Sequence, residues 1–260
     1  MDEATGIRRL ARPFPARTPW SGSGARFRWV NPADVEARDE MRDEPSRRDV
    51  RETYDRIGGH FSRTREHPWP AVERFIERAD RVGTGLDLGC GNARHAEVMA
   101  GRAERVVGVD LSRSVLDAAR ERRREHGFAV ELCQADATAL PLATRSVGLA
   151  VYIAAVHHLP TRDARLASLD ELARVLTPDG RALVSAWSTT HDRFDREEGF
   201  DTTVDWTLPG GETVARYYHI YDPAEFAADL ERSRLDVERT FEERGNCYGV
   251  VAGRAEGKPT

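Results

Sequence analysis

The sequence predicts an α/β fold, a seven-stranded and mostly parallel sheet with helices on both faces, and three observations carry that expectation. From Asp49 onward, short apolar runs alternate with stretches of helical spacing, the pattern of parallel strands joined by helical crossovers. A glycine-containing turn, Gly89-Cys90-Gly91, joins the first of these runs to a helix. The last two runs, Leu235–Glu242 and Cys247–Ala252, are separated by a short turn, which makes the C-terminal end of the sheet antiparallel.

The elements follow in order. Asp49–Ile57 places Val50, Tyr54 and Ile57 on one helical face and is expected to break at Gly58-Gly59. Pro70–Ala79 reads as a helix opened by proline. Strand Gly85–Leu88 leads through the glycine turn to helix Ala93–Ala100. Strand Arg105–Val109, the long charged helix Ser112–His126 and strands Phe128–Gln134 and Val147–Ile153 come next. Helix Arg162–Leu176 ends at Pro178-Asp179-Gly180, a turn signal, before strand Arg181–Trp187. Residues 188–215, with Trp206 and Pro209-Gly210-Gly211, lack clear periodicity and read as an insertion over the substrate side of the sheet. Ala224–Glu231 is helical.

With 260 residues, 40% of them hydrophobic, the chain can bury the core of one large domain, expected over 46–260. Residues 1–45 carry Pro13, Pro15, Pro19, Pro32 and Ser21-Gly22-Ser23-Gly24 and are expected to be a disordered Arg/Pro-rich extension. Six arginines precede Val30, against Asp2 and Glu3; a nucleic-acid-binding arm is one reading, but such charge runs are usually solvated tails. No run of 18 apolar residues is present, so no membrane association is expected. Cys90, Cys133 and Cys247 form no CxxC pair, which argues against a disulfide framework or zinc site and fits a reducing cytoplasm. A net charge of −5 gives no overall pull toward nucleic acid, so any such contact needs a local patch.

Gly89 and Gly91 let the backbone approach a ligand that side chains would exclude. Asp110 ends the next strand 19 residues after Gly91, placed to accept from two ribose hydroxyls. A dinucleotide fingerprint wants glycine at position 94, where this chain has Arg94. Asp87, immediately before the turn, suits an ammonium and a sulfonium better than a pyrophosphate. Asp136, in Ala135-Asp136-Ala137 at the end of the third strand, can accept from an adenine amino group. These three acids, each near a strand's C-terminal end, resemble those of the Rossmann-like class I methyltransferases, and the cofactor implied is S-adenosylmethionine. Where that family usually has a third glycine, this chain has Ala93.

Outside the core the resemblance narrows. Tyr54-Asp55-Arg56-Ile57, His60-Phe61-Ser62-Arg63-Thr64-Arg65, Pro68-Trp69-Pro70, Val156-His157-His158-Leu159, Arg216-Tyr217-Tyr218-His219 and Gly245-Asn246-Cys247-Tyr248 resemble segments of the tRNA wobble-uridine carboxymethyl methyltransferases. The resemblance implies esterification of 5-carboxymethyluridine in the tRNA anticodon loop. Under it Tyr54, Asn92, Leu111 and Ala137 join Asp87, Gly89, Gly91, Asp110 and Asp136 around the cofactor. Arg65, His157, Arg216 and His219 become catalytic-site residues, and Ser62, Thr64, Trp69, Tyr217 and Tyr218 contact substrate. Arg65 and Arg216 offer forks to a carboxylate or a backbone phosphate, and either partner fits Arg216. Trp69, Tyr217 and Tyr218 could stack an everted base or serve the core, and His157-His158 could belong to the site or cap a turn. The resemblance also implies a small zinc-binding activator protein, for which the expected edge strand at Val130-Glu131-Leu132-Cys133 offers a pairing surface. A small-molecule C- or O-methyltransferase sharing the same core is the alternative.

Overall fold

The computed structural model describes residues 45–254, so nearly all of the extension expected over 1–45 lies outside the described residues. Seven strands form one sheet: β1 (Val82–Leu88), β2 (Ala103–Asp110), β3 (Glu131–Gln134), β4 (Val147–Ile153), β5 (Leu176–Trp187), β8 (Asp236–Glu243) and β9 (Asn246–Ala252), ordered β3-β2-β1-β4-β5-β9-β8. Pairing is parallel from β3 through β5, while β9 runs antiparallel between β5 and β8. The seven-stranded, mostly parallel sheet with an antiparallel C-terminal strand is therefore present, with helices α1 (Arg47–Arg63), α2 (Pro70–Glu77), α3 (Arg94–Met99), α4 (Arg113–His126), α5 (Arg162–Val175) and α6 (Pro223–Arg232) around it. Among the described residues no helix is long and apolar enough to cross a membrane.

Side chains alternate across each strand and so feed two cores. Ala150 and Tyr152 of β4 join Leu169 and Leu172 of α5 and Phe226 and Leu230 of α6 on one face. Leu149, Val151 and Ile153 meet Val72 and Ile76 of α2, Met99 of α3 and Ala119 of α4 on the other. Burial on both faces explains why β4 reads as an almost unbroken apolar run.

Three local expectations are corrected. Helix α1 runs straight through Gly58-Gly59. A Cβ on Gly58 would lie 2.5 Å from Ser114 Oγ, so this glycine permits close approach of α1 to α4 and breaks nothing. Pairing along β5 begins at Leu176, before the Pro178-Asp179-Gly180 turn. The register jumps from Val147↔Leu176 to Leu149↔Arg181, so the turn bulges out of a continuing strand. The 188–215 segment contains β6 (Phe200–Thr207) and the start of β7 (Thr213–Ile220), which together form a separate antiparallel hairpin. Its Trp206 and Val214 pack on Ile57, Tyr54 and Phe61 of α1 in a small third core. The hairpin escapes a periodicity reading because the face against α1 mixes apolar residues with Arg216 and Tyr218.

Candidate active site

A cavity of about 930 Å³ opens at the C-terminal ends of β1, β2, β4 and β5, walled by α1 and by Trp206 and Tyr218 of the hairpin. That volume approaches the upper end of small-molecule sites and leaves room beyond one nucleoside.

The loop after β1 forms its near end. Gly89 and Gly91 have φ of 67° and 53°. A Cβ on Gly89 would lie 2.4 Å from that of Ala155, whereas one on Gly91 would meet nothing within 4 Å. Asp110 organises the turn: its two carboxylate oxygens accept from the N–H groups of Gly91 and Ser112, both at 2.9 Å. Burial pushes the Asp110 pKa up, partly countered by these N–H donors. The Ser112 hydroxyl in turn donates to Asp55 Oδ1 of α1 at 2.7 Å. Asn92 lines the cavity, but its amide donates to the carbonyls of Ser62 (3.1 Å) and Arg65 (2.8 Å), so it acts as a strut between the loop and the end of α1. Ala93 is fully buried at φ 61°, holding the left-handed conformation that a third glycine would adopt freely.

Leu111, Asp136 and Ala137 also line the cavity. Asp136 accepts from the Thr138 N–H (2.9 Å) and pairs with Arg47 of α1 (2.8 Å). Asp87 departs from expectation, since it is buried and is not among the residues lining the cavity. Its carboxylate accepts from the Ala96 N–H of α3 at 2.9 Å, and burial pushes its pKa up to about 7.

The far end is aromatic and cationic. Tyr54 lies 2.8 Å from His158 Nε2, whose Nδ1–H donates to the Tyr217 carbonyl at 2.9 Å, so the tyrosine hydroxyl donates to an imidazole kept neutral by burial (pKa about 3). His157 accepts from the Trp187 N–H through Nδ1 at 2.9 Å, and burial, then His158, holds its pKa well below 6.5. Its role is thus partly a turn cap and partly cavity wall. Arg65 lies over the Phe61 ring at 4.6 Å, its pKa lowered by burial. Arg94 lies over Trp69 at 5.7 Å, its pKa lowered to about 10 by burial and then by the charge of Arg65. Ser62, Thr64 and Trp69 also line the cavity, and Ser62 Oγ is buried without a partner. Arg216 is 2% exposed and donates to the Tyr218 hydroxyl at 2.6 Å. It lies 5.0 Å from the Trp206 ring, and its Nε has no hydrogen-bond partner.

The Arg216-Tyr217-Tyr218-His219 motif is divided by the alternation of β7. Arg216 and Tyr218 face α1; Tyr218 lines the main cavity, and Arg216 is buried beside it without lining the cavity itself. Tyr217 and His219 turn to the opposite side, correcting their placement beside the substrate. There they line a smaller pocket with Arg162, Arg165 and Asp201. His219 is held by Asp201 on Nδ1 (2.6 Å) and Glu225 on Nε2 (2.9 Å), a role in joining β7 to β6 and α6. Two residues were missed by sequence reasoning. Asp55 sits inside a quoted motif but acts by bracing Ser112. Trp187 lines the cavity at the end of β5, and the only signal for it was its position at a parallel strand's C-terminal end.

A nucleoside-binding turn followed by a ribose-height acid, at the head of a sheet whose penultimate position holds its antiparallel strand, is the arrangement of the class I methyltransferases. The methyltransferase domain family (Methyltransf_11) matches residues 86–184. A protein of Encephalitozoon cuniculi assigned by name to the methyltransferases is 32% identical over 69% of this chain and 84% of its own length. The tRNA (carboxymethyluridine(34)-5-O)-methyltransferase of Schizosaccharomyces pombe is 26% identical over 78% of this chain and 95% of its own. Mouse ALKBH8, which bears the same enzyme name, is 31% identical over 69% of this chain, and the match spans 26% of ALKBH8. Among solved structures, a Haloferax volcanii methyltransferase in complex with the Trm112 activator superposes with a TM-score of 0.59 at 14% identity, covering 81% of this chain and all of that one. The chain belongs to the S-adenosylmethionine-dependent methyltransferases.

Proposed function

We propose that this protein transfers a methyl group from S-adenosylmethionine to the carboxylate of 5-carboxymethyluridine at the tRNA wobble position, forming the methyl ester. The chain spans about a quarter or less of the vertebrate relatives it matches. The observation that carries the substrate reading is Arg216. It is a buried guanidinium with no carboxylate at ion-pair distance among the described residues, held instead by tyrosine oxygens and aromatic rings. Burial works against its charge, but Tyr218 and Tyr54 outweigh that, so it stays fully cationic. Asp205 supports its charge only at longer range and as the smallest contribution. A buried cation without a close counter-ion is costly, and an entering carboxylate or phosphate would supply one.

The near end fits the cofactor. The space above Gly91 is open, and Asp110 is anchored by backbone N–H groups with acceptor capacity left for ribose hydroxyls. Asp136 and Ala137 would hold the adenine, with Leu111 completing the wall and Tyr54 standing between this end and the aromatic one. Asp87 would act from behind the loop through its charge. When bound, S-adenosylmethionine supplies an electrophilic methyl group. The substrate carboxylate is already ionised at neutral pH, so no side chain has to remove a proton. The work left to this chain is alignment and partial exclusion of water; Arg65, His157 and Tyr218 line the region where the carboxylate would lie, with Arg216 behind Tyr218.

A small activator protein, by analogy with the Haloferax complex, would pair with β3, the outermost strand of the sheet, near Val130–Cys133. The resemblance adds zinc binding to that partner and a cytoplasmic setting to the reaction. Residues 200–220 would serve as the substrate-side cover. The test is incubation with S-adenosylmethionine and tRNA carrying 5-carboxymethyluridine, with and without co-expressed activator, followed by nucleoside mass spectrometry. Appearance of the methyl ester is expected; unchanged carboxymethyluridine in both would sink the reading in favour of a small-molecule substrate.

A further inference from the structure

An everted base needs a flat surface that it can reach, and most of the residues singled out from sequence do not offer one. Tyr217 lies on the far side of β7. Tyr218 is 3% exposed and enclosed by His158 (ring centroids 4.4 Å apart), Trp187 (4.8 Å) and His157 (4.9 Å). Trp206 is equally buried, against Phe61 and Arg216. Trp69 lines the cavity and is partly buried, with Arg94 over its ring at 5.7 Å.

Trp187 differs from Tyr218 and Trp206 in its exposure and from Trp69 in being backed by a second ring. It lines the cavity and is only partly buried, although Ala186 before it and Tyr218 behind it are buried. Its indole lies nearly parallel to Tyr218, at 25°. Its backbone is fixed on both sides, by pairing with Asn246 of β9 and by the N–H donated to His157 Nδ1. The ring is thus carried by the sheet and backed by a second ring, and that second ring is the one hydrogen-bonded to Arg216. Arg193 lies over the indole at 5.7 Å, and His191 (5.8 Å) and Phe194 (6.1 Å) lie near it. All three come from the segment between β5 and β6, and a stacking base would take the place of the planar cation.

We infer that Trp187 is the platform on which the wobble base stacks, with Tyr218 holding it flat and linking it to the anion-binding Arg216. The inference rests on the nucleobase substrate proposed above. It assigns substrate affinity to Trp187 and no part in cofactor binding, because the near-end loop and Asp110 do not touch it. Stacking is indifferent to which ring supplies the π-face, so phenylalanine should substitute and leucine should not.

The test compares the full-length protein with Trp187→Leu and Trp187→Phe on tRNA carrying 5-carboxymethyluridine. Trp187→Leu should raise KM for tRNA by about tenfold to a hundredfold, the range expected for one lost base–aromatic stack. Its affinity for S-adenosylhomocysteine should stay within about twofold of wild type, and Trp187→Phe should restore most of the lost affinity. As a second readout, tRNA should quench tryptophan fluorescence in the wild type and much less in Trp187→Phe, which stands even if the leucine variant does not fold. Wild-type turnover with an unchanged KM in Trp187→Leu, or undiminished quenching in Trp187→Phe, overturns the platform. No methyl ester from the wild type overturns the substrate reading itself.

Discussion

Arg216 Nη1 donates to the Tyr218 hydroxyl at 2.6 Å, joining two residues on the same face of β7 with no acid between them. If this guanidinium receives the substrate anion, Arg216→Ala should lower kcat/KM by about tenfold to a hundredfold, as for loss of a charged hydrogen bond. Arg216→Lys should not rescue it, since an ammonium cannot keep the tyrosine contact and offer a fork together. Steady-state kinetics with tRNA, beside calorimetric titration of S-adenosylhomocysteine, separates this from a cofactor defect; normal tRNA methylation in Arg216→Ala would rule the role out.

Asp87 should make cofactor affinity depend on pH. Burial raises its pKa to about 7, so below neutrality the carboxyl is largely protonated, and a cationic ligand favours the ionised form. Affinity for S-adenosylmethionine should rise severalfold from pH 6 to pH 8 and then level off, with proton release on binding near pH 7. Asp87→Asn should abolish the slope. A flat calorimetric profile in the wild type would remove Asp87 from the cofactor's electrostatics.

Asp110 has a structural task as well as a ligand. Replacing it with alanine leaves the Gly91 and Ser112 N–H groups without their acceptor, at a cost of about 1–3 kcal/mol each. Asp110→Ala should therefore lose cofactor binding and melt several degrees lower, whereas Asp110→Asn should recover part of the stability and little of the binding. Thermal melts with and without S-adenosylhomocysteine distinguish the two effects.

His219 should govern the alkaline side of the stability profile. Burial opposes its charge, but Asp201 and Glu225 outweigh that and its pKa is raised above 6.5. A raised histidine contributes stability that is complete below its unfolded pKa and lost as pH climbs through the folded value. The melting temperature should fall above neutrality, and His219→Gln should be less stable at pH 6 and flatter above it. Activity per folded molecule should change little, since the ring faces away from the cavity.

Adjacent glycines in α1 should respond in opposite directions. Gly59 has nothing within 4 Å of an added Cβ, so Gly59→Ala should stabilise by about 0.5–1 kcal/mol through helix propensity. Gly58→Ala drives a methyl against Ser114 Oγ and Cβ, at 2.5 and 2.9 Å, and should destabilise despite the same propensity gain. Chemical denaturation of the two variants tests the close approach of α1 to α4.

The near end of the site was legible in the sequence because its signals are local. Gly89, Gly91 and Asp110 stand at strand ends, and their residue types follow from backbone conformation and hydrogen bonding within the turn. Ala93 keeps the left-handed conformation of the glycine it replaces, so the departure from the family pattern changes a residue and not the turn. The far end was legible only as a set of names. The motif at 216–219 was visible, but a one-residue step along β7 decides which side each member serves, and periodicity failed in that hairpin.

The sequence by itself determined the alternation of elements, the antiparallel close of the sheet, the cofactor loop and its acids, since each depends on neighbours along the chain. Only the tertiary structure decided that Gly58 is a contact and not a break, that Asp87 lies behind the loop, and that Arg216 and Tyr218 part company with Tyr217 and His219. It alone brought Trp187 from the end of β5 against Tyr218 of the hairpin. Those outcomes depend on which surfaces meet at the C-terminal edge of the sheet. That meeting is set by packing between segments far apart in the chain, where no local pattern of residues records it.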